Sequence, residues 1–389
     1  MLKKKHFIFI AAGTALLAAA ILIFAAAANA NTVKVAFYGL DERVQNAVKT
    51  QIDKMNLRRV RYYAFSADEG LPKNYNKKYS IAVMKNSFFA KADESKFVPV
   101  KEEFFDSLPT SIRKAALRAA GDGHYALPIL LDHFELSYFR IAKEKLGLNE
   151  PQNYGSLLRY LEALKNDLEI PLICAGGVDK DLFGFVSAMS EILYGAEGYK
   201  KMLSVLREAS GLNKANLPEE LVRVLDEIKA MRQRGLLYKN WTKATPRDIR
   251  YFMQEGNVGA AAMYLSDRRN VEYNLIKYYN SSFFPRYDNS VEHGIIAPQV
   301  SAFLLSGKKE ASLILGQLAS ADVQAELSNL SLLAPVASRA EAVDRQADDV
   351  RFWAASSAAG ALNGIEEECE SAAARRHLLA QKIRAYLEN

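Results

Sequence analysis

The sequence predicts an α/β protein with a mostly parallel sheet, followed by a second, helix-rich α/β layer. Three observations predict it. Thr32–Leu40 (TVKVAFYGL), Asp41–Met55 and Arg59–Phe65 read as strand, helix and strand; Pro151–Asn166 and the run IPLICAGG read as a helix and a buried strand; and Arg247–Tyr264 reads as helix, glycine turn and strand. With 389 residues, half of them apolar, the chain can bury a large core and is long enough for two or three domains.

In chain order, the β-rich run at Thr32 ends in Gly39. Asp41 then opens DERVQNAVKTQIDKM, whose Val44, Val48, Ile52 and Met55 recur at helical spacing. Asp41 suits an N-cap because a short side-chain oxygen can accept from a free backbone N–H of the first turn. Arg59–Phe65 and Tyr79–Met84 are the next strands. Ser111–Ala120 predicts a helix stopped by Gly121-Asp122-Gly123. Tyr125–Leu131 is extended, and Pro128 argues against a central strand there because proline has no N–H to pair. From Phe134 to Gly147 the pattern predicts helix. Phe183–Leu193, Tyr199–Glu208 and Pro218–Arg234 are further helices, and Glu310–Asn329 and Glu366–Tyr386 are the late ones. The middle of the chain therefore predicts a second α/β lobe.

Residues 1–30 read as an export signal: Lys3–Lys5, an apolar Phe7–Ala28, and Ala28-Asn29-Ala30 as the cleavage site. The apolar run is also long enough to stay in a membrane as an anchor, so a free extracytoplasmic (periplasmic) protein and a tethered one are both open. The formal charge of +6 owes three units to Lys3–Lys5, since residues 1–30 hold no acid. The remaining 48 basic residues stand against 45 acids, with no basic face of the kind nucleic acid requires. Cys174 and Cys369, the two cysteines, fit no redox or zinc spacing and either form one disulfide or stay as buried thiols. The five histidines are scattered, and no nucleophile elbow, metalloprotease or phosphate-loop motif occurs. An enzyme, a metal site and a cofactor are therefore not expected.

Four stretches, in order, resemble the extracellular solute-binding proteins of ABC importers, in particular the sugar-binding, maltodextrin-binding-like family. They are GDGHYALPILLDHFELSYF (121–139), LGLNEPQNYGSLLRYLEALK with IPLICAGG (146–177), FMQEGNVGAAAMYLSD (252–267) and SGKKEASLILGQLASADVQAELSNLSLLAPV (306–336). The resemblance implies a periplasmic-binding-protein-like fold, two α/β lobes joined by a hinge that the chain crosses more than once. It places residues 31–132 and about 292–325 in the first lobe, and 133–291 and about 326–389 in the second. It implies a monomeric, non-enzymatic receptor that closes on a small solute, with carbohydrate favoured, and hands it to the transmembrane subunits of an importer. The chain departs from the family in lacking tryptophan after the third stretch and after IPLICAGG, which leaves other polar solutes open.

Ligands of open α/β sheets sit at the carboxyl ends of strands. That edge nominates Tyr38 and Asp41 after the first strand and Asn86 after the third, with Asp132 at the crossing. Asp267 and Arg268 follow the NVGAAAMY strand, and Phe183 and Tyr287 are candidates for stacking on a sugar ring. Each has a structural alternative: a satisfied core tyrosine, a helix cap, an ion pair, a packing aromatic. A membrane-tethered structural or sensory module with the same fold is the rival function, and a secreted hydrolase the third.

Overall fold

The computed structural model describes residues 32–67, 72–85, 94–116, 124–208, 217–287, 291–366 and 373–388. The export signal, Asn86 and Cys369 lie outside them, and among the described residues no helix is long and apolar enough to cross a membrane.

The first body begins with β1 (Val33–Tyr38), α1 (Glu42–Lys54), β2 (Val60–Phe65) and β3 (Ile81–Lys85), as the periodicity predicts. Asp41 caps α1, its Oδ1 accepting from the Val44 N–H at 2.9 Å, and Val44, Val48 and Ile52 are buried along one stripe. β1 pairs in parallel with both β2 and β3. Next comes β4 (Ala126–Leu131), and after Asp132-His133 the chain enters β5 (Phe134–Phe139) in a second sheet.

Two expectations are corrected here. β4 is an interior strand in spite of Pro128: Val300 faces Leu130 and Ser301 faces Pro128, so Ile129 is the extra residue of a β-bulge. The bulge sits where proline cannot donate, and β4's other neighbour pairs only with Leu130 and Leu131. Phe134–Phe139 is a strand and not a helix; only Arg140–Lys145 is helical. The residues alternate, Phe134, Leu136 and Tyr138 entering one core while Glu135 and Ser137 lie on the opposite face, and period two specifies a strand.

The second body continues with α2 (Tyr154–Lys165), β6 (Ile170–Cys174), α3 (Asp179–Glu208), α4 (Glu219–Gln233), α5 (Pro246–Gln254), β7 (Val258–Tyr264) and β8 (Tyr279–Ser282). Its sheet runs β6-β7-β5-β8, with β6 and β7 parallel and β5 antiparallel to both β7 and β8. α3 breaks at Gly195 (φ +66°), where the Ala196 N–H donates to the carbonyl of Glu292, so the two predicted helices are two halves of one bent run.

The chain returns through β9 (Ile295–Ile296) to β10 (Gln299–Leu304), which lies antiparallel between β3 and β4 and makes the first sheet mixed, in the order β11-β4-β10-β3-β1-β2. The predicted helix over 310–329 is two, α6 (Lys309–Leu318) and α7 (Ala321–Ser331), separated where Ser320 turns to extended geometry. β11 (Ala334–Pro335) and α8 (Arg345–Ser356) precede β12 (Ala361–Leu362), which pairs with β9, and α9 (Ala373–Glu388). Side chains of α7, β11 and α8 (Leu327, Ala334, Val350, Ala354) belong to the first core, and Leu362, Ile365 and α9 (Leu379, Ile383, Leu387) join the second. The expected placement of everything after residue 326 in the second lobe therefore differs from the packing, because α7 lies against α1 and α8 against the short Thr110–Ala115 helix. Two α/β lobes result, and the described chain passes between them three times: at Asp132-His133, before β10, and after α8.

Candidate functional site

The carboxyl ends of β6 and β7 meet the crossing that leaves β4. After β6 the chain turns through Gly176-Gly177. A Cβ on Gly176 would fall 2.5 Å from the buried Trp241 ring, and one on Gly177 would fall 2.7 Å from the Ala244 carbonyl, so only glycine allows this close approach. The turn delivers Asp179, Lys180 and Asp181 in the first turn of α3. α9 holds it from outside: Arg384 Nε donates to the Gly176 carbonyl at 2.8 Å, and its Nη2 and His377 Nδ1 reach the Asp179 carboxylate at 2.7 and 2.9 Å. Trp241, like Cys174, is fully buried, and the Trp241 ring packs on Phe185, so both are core residues.

Asp132 is the centre of a hydrogen-bonded cluster there. Its Oδ1 accepts from the Ser266 N–H at 3.0 Å, and its Oδ2 accepts from Ser266 Oγ at 2.8 Å and from the Lys180 ammonium at 3.2 Å. Lys180 lies 3.6 Å from Asp267 and 4.2 Å above the Tyr264 ring, a cation held by two carboxylates and an aromatic face. Burial works against the lysine's charge, but the carboxylates of Asp132, Asp267 and Asp181 outweigh it and hold the ammonium firmly protonated. Burial, opposed by Lys180, raises the Asp267 carboxyl. Asp181, 2% exposed, is pushed up to about 7, first by burial and then by Asp267, with Lys180 acting against them. It lines a small cavity with Asp267, Arg250, Asn270, Met263 and Ile249.

Of the residues nominated from sequence, Asp132 and Asp267 are thus brought together, through Lys180. Arg268 turns away, donating to the Tyr279 carbonyl at 3.0 Å and pairing with Glu135 at 3.3 Å. Phe183 is wholly buried in the second core: the helix starts at Asp179, and one turn later the phenylalanine faces inward, so the stacking role expected of it is corrected. Tyr38 is 3% exposed, with its hydroxyl donating to the Ala67 carbonyl at 3.1 Å, which answers to its structural alternative. Asp41 is exposed and acts as the α1 cap. Tyr287 is exposed beside Tyr154, with ring centroids 5.9 Å apart.

Sequence reasoning missed Lys180, Asp181, Ser266 and Glu135. The strand-end rule that nominated Asp267 also reaches Asp179-Lys180-Asp181 when applied to IPLICAGG. Glu135 was hidden by reading its strand as a helix. Its fully buried carboxylate accepts from Ser281 Oγ at 2.6 Å and from Gln346 Nε2 at 3.0 Å, besides pairing with Arg268. Gln346 stands on α8, so this bond joins the second sheet to a helix of the first core. Trp353, also on α8, supplies an aromatic surface at the crossing, 5.5 Å from the His133 ring and 5.8 Å from Phe283.

No family model and no curated protein matches the sequence. Solved structures do match its fold. The bacterial solute receptor AcbH, described as having an exclusive preference for β-D-galactopyranose, aligns over 92% of this chain and 97% of its own at 12% identity, with a TM-score of 0.73. A putative binding protein from Bacillus subtilis in an open conformation aligns over 92% and 96% at 11% identity, with a TM-score of 0.71. A sugar transporter protein from Bacillus licheniformis, solved with stachyose, aligns over 92% and 98% at 13% identity, with a TM-score of 0.62. At these identities the likeness establishes the fold: over 92% of its length the chain is built as these structures are.

Proposed function

We propose that this chain is an exported receptor that binds a carbohydrate between its two lobes and passes it, unaltered, to the membrane permease of an ABC importer. The observation that carries the reading is the position of Asp132. It ends a strand of the first sheet and is held by Ser266 and Lys180 of the second body, so a ligand bound there touches both lobes next to the hinge. A ligand that contacts both lobes favours the closed arrangement over the open one, which is how such a fold reports occupancy.

The chemistry suits a sugar. Carboxylates of Asp132 and Asp267 accept from hydroxyls, the Lys180 ammonium and Ser266 hydroxyl donate, and Trp353 and Phe283 offer apolar faces at the same crossing. The ligands named for the AcbH and Bacillus licheniformis structures, β-D-galactopyranose and stachyose, are sugars and support this class. The lobes divide as the two cores divide, 32–132 with about 297–356 against 133–296 with about 361–388. Residues 1–30 act as the export address.

The test is equilibrium binding of the purified protein to mono- and oligosaccharides by calorimetry and thermal shift, with chromatography of the recovered sugar. A folded ligand-binding protein gains about 4 kcal/mol of apparent stability at a thousandfold excess over Kd. An upward shift with sugar recovered intact is expected. A cooperatively melting protein that no saccharide shifts would sink the receptor reading, and conversion of the sugar would replace it with an enzyme.

A further inference from the structure

The receptor reading uses Asp132, Lys180 and Ser266 but leaves Asp181 without a task. Its carboxylate is almost entirely removed from solvent, lines a small cavity, and among the described residues accepts no hydrogen bond and forms no ion pair. A buried carboxylate with no donor is costly, and structures retain one where something else supplies the donor. The charged group that acts on it most strongly is a second carboxylate, Asp267, on the same cavity.

The charges around this cavity do not balance. Asp181 feels Asp267 and Asp132 on the acidic side and Lys180 on the basic side, and Arg250 of α5 acts on Asp267 from the cavity wall. Lys180 is already shared between Asp132 and Asp267. The wall around the carboxylates is apolar (Ala175, Pro246, Ile249, Met263, Val271), with Asn270 as the other polar group, so a cation entering there meets little competing water.

We propose that Asp181 and Asp267 form a subsite for a protonated amine, so that the solute this receptor takes is an amine-bearing sugar. The inference rests on the receptor reading and narrows it. An ammonium seated between the two carboxylates supplies the donors that Asp181 lacks and the positive charge the cluster is short of. A hydroxyl supplies a donor but no charge, and an N-acetyl group removes the charge. Because Asp181 titrates near neutrality, capture of the amine is coupled to release of its proton.

The experiment is calorimetry of the purified protein with glucosamine and galactosamine, each against its neutral parent and its N-acetylated form, at pH 5.5 and pH 7. The amino sugar is expected to bind at least about tenfold tighter than both relatives at pH 7, a margin ordinary for a charge-assisted hydrogen bond. That margin should shrink about tenfold at pH 5.5, where Asp181 is protonated. Asp181→Asn should erase the preference and leave the neutral sugar's affinity in place, whereas Asp267→Asn should weaken both sugars and narrow the gap between them. The pH series on the unaltered protein stands even if a variant folds poorly. Equal affinity for the amine and the neutral sugar, or a preference that survives in Asp181→Asn, overturns the subsite and leaves the receptor standing. Failure of every sugar to bind a cooperatively melting protein overturns both.

Discussion

Asp132 and Ser266 lie 134 residues apart in the chain and are joined twice, the serine donating both its N–H and its hydroxyl to one carboxylate. The pair ties the end of a first-sheet strand to the turn that follows β7 in the second sheet. Whatever binds at the carboxyl ends of β6 and β7 therefore acts on the hinge through two hydrogen bonds and an ammonium.

Asp132→Ala removes the acceptor of both Ser266 donors and one of the two carboxylates that hold Lys180. Hydrogen bonds to a charged group are worth roughly 1.5–3 kcal/mol, so sugar affinity should fall by about 10- to 100-fold. Asp132→Asn keeps one carbonyl oxygen for Ser266 and loses the charge facing Lys180, and should fall between the two. Calorimetric Kd values for the three proteins check the order, and equal affinities would remove Asp132 from the site.

Asp181 sets a pH dependence of stability whose sign is determined by its neighbours. Its folded value, about 7, lies above the ordinary aspartate value near 3.8. The folded protein thus holds a proton that the unfolded chain has lost between these two values, and the contribution is complete below about pH 4 and vanishes as pH rises through 7. Melting temperature should drop across that window by an amount equivalent to about 2–4 kcal/mol, and Asp181→Asn should flatten the drop. Calorimetric melts at pH 4.5, 6 and 7.5 decide it: parallel curves for the two proteins would mean the carboxyl is not buried in solution.

Most of the first lobe was legible because its residues obey a single period. Val44, Val48 and Ile52 repeat at helical spacing behind a cap, and Val33–Tyr38 ends at a glycine. The parallel sheet and the position of Asp41 followed. β4 and β5 were misread for opposite reasons. Pro128 is tolerated inside a sheet because a bulge at Ile129 meets its missing N–H, and a bulge is a property of the pairing partner, β10, 170 residues later. Phe134, Leu136 and Tyr138 alternate, but both faces of that strand are buried, and Glu135 and Ser137 are covered by groups from Ser281 and Gln346 that no local pattern announces. At the site, strand ends could be found from sequence, and they led to Asp132 and Asp267. Which side chains turn inward could not: Phe183 and Arg268 differ from Lys180 and Asp267 by their angle around a helical turn, which depends on where α3 and the Leu265–Arg268 turn begin.

Glu135 and Arg268 form a buried pair, the glutamate fully covered and the arginine 11% exposed. Removing one partner leaves the other charged and without its counter-ion, which typically costs about 3–5 kcal/mol. Glu135→Ala and Arg268→Ala should each lower stability by that order, and the double variant by clearly less than their sum. Chemical denaturation of the four proteins measures the coupling. Additive losses would show that the two side chains act independently. Glu135→Gln retains the Gln346 and Ser281 contacts in part and should lose less than Glu135→Ala.

Arg384 tests whether the C-terminal helix serves the site or only the core. It donates to the Gly176 carbonyl and pairs with Asp179, the residues that frame the turn carrying Lys180 and Asp181. A loop held this way presents its side chains in one arrangement, and ligand binding spends less free energy on ordering it. Arg384→Ala should therefore weaken sugar binding several-fold, while Arg384→Lys restores a charge beside Asp179 but not the Gly176 bond and should recover only part. His377→Ala breaks a more exposed contact to the same aspartate, worth no more than about 1 kcal/mol, and should change affinity little. If α9 is only a strut for the second core, Arg384→Ala lowers the melting temperature while Kd stays unchanged. A rise in Kd larger than the stability loss explains places Arg384 among the residues that position the binding turn.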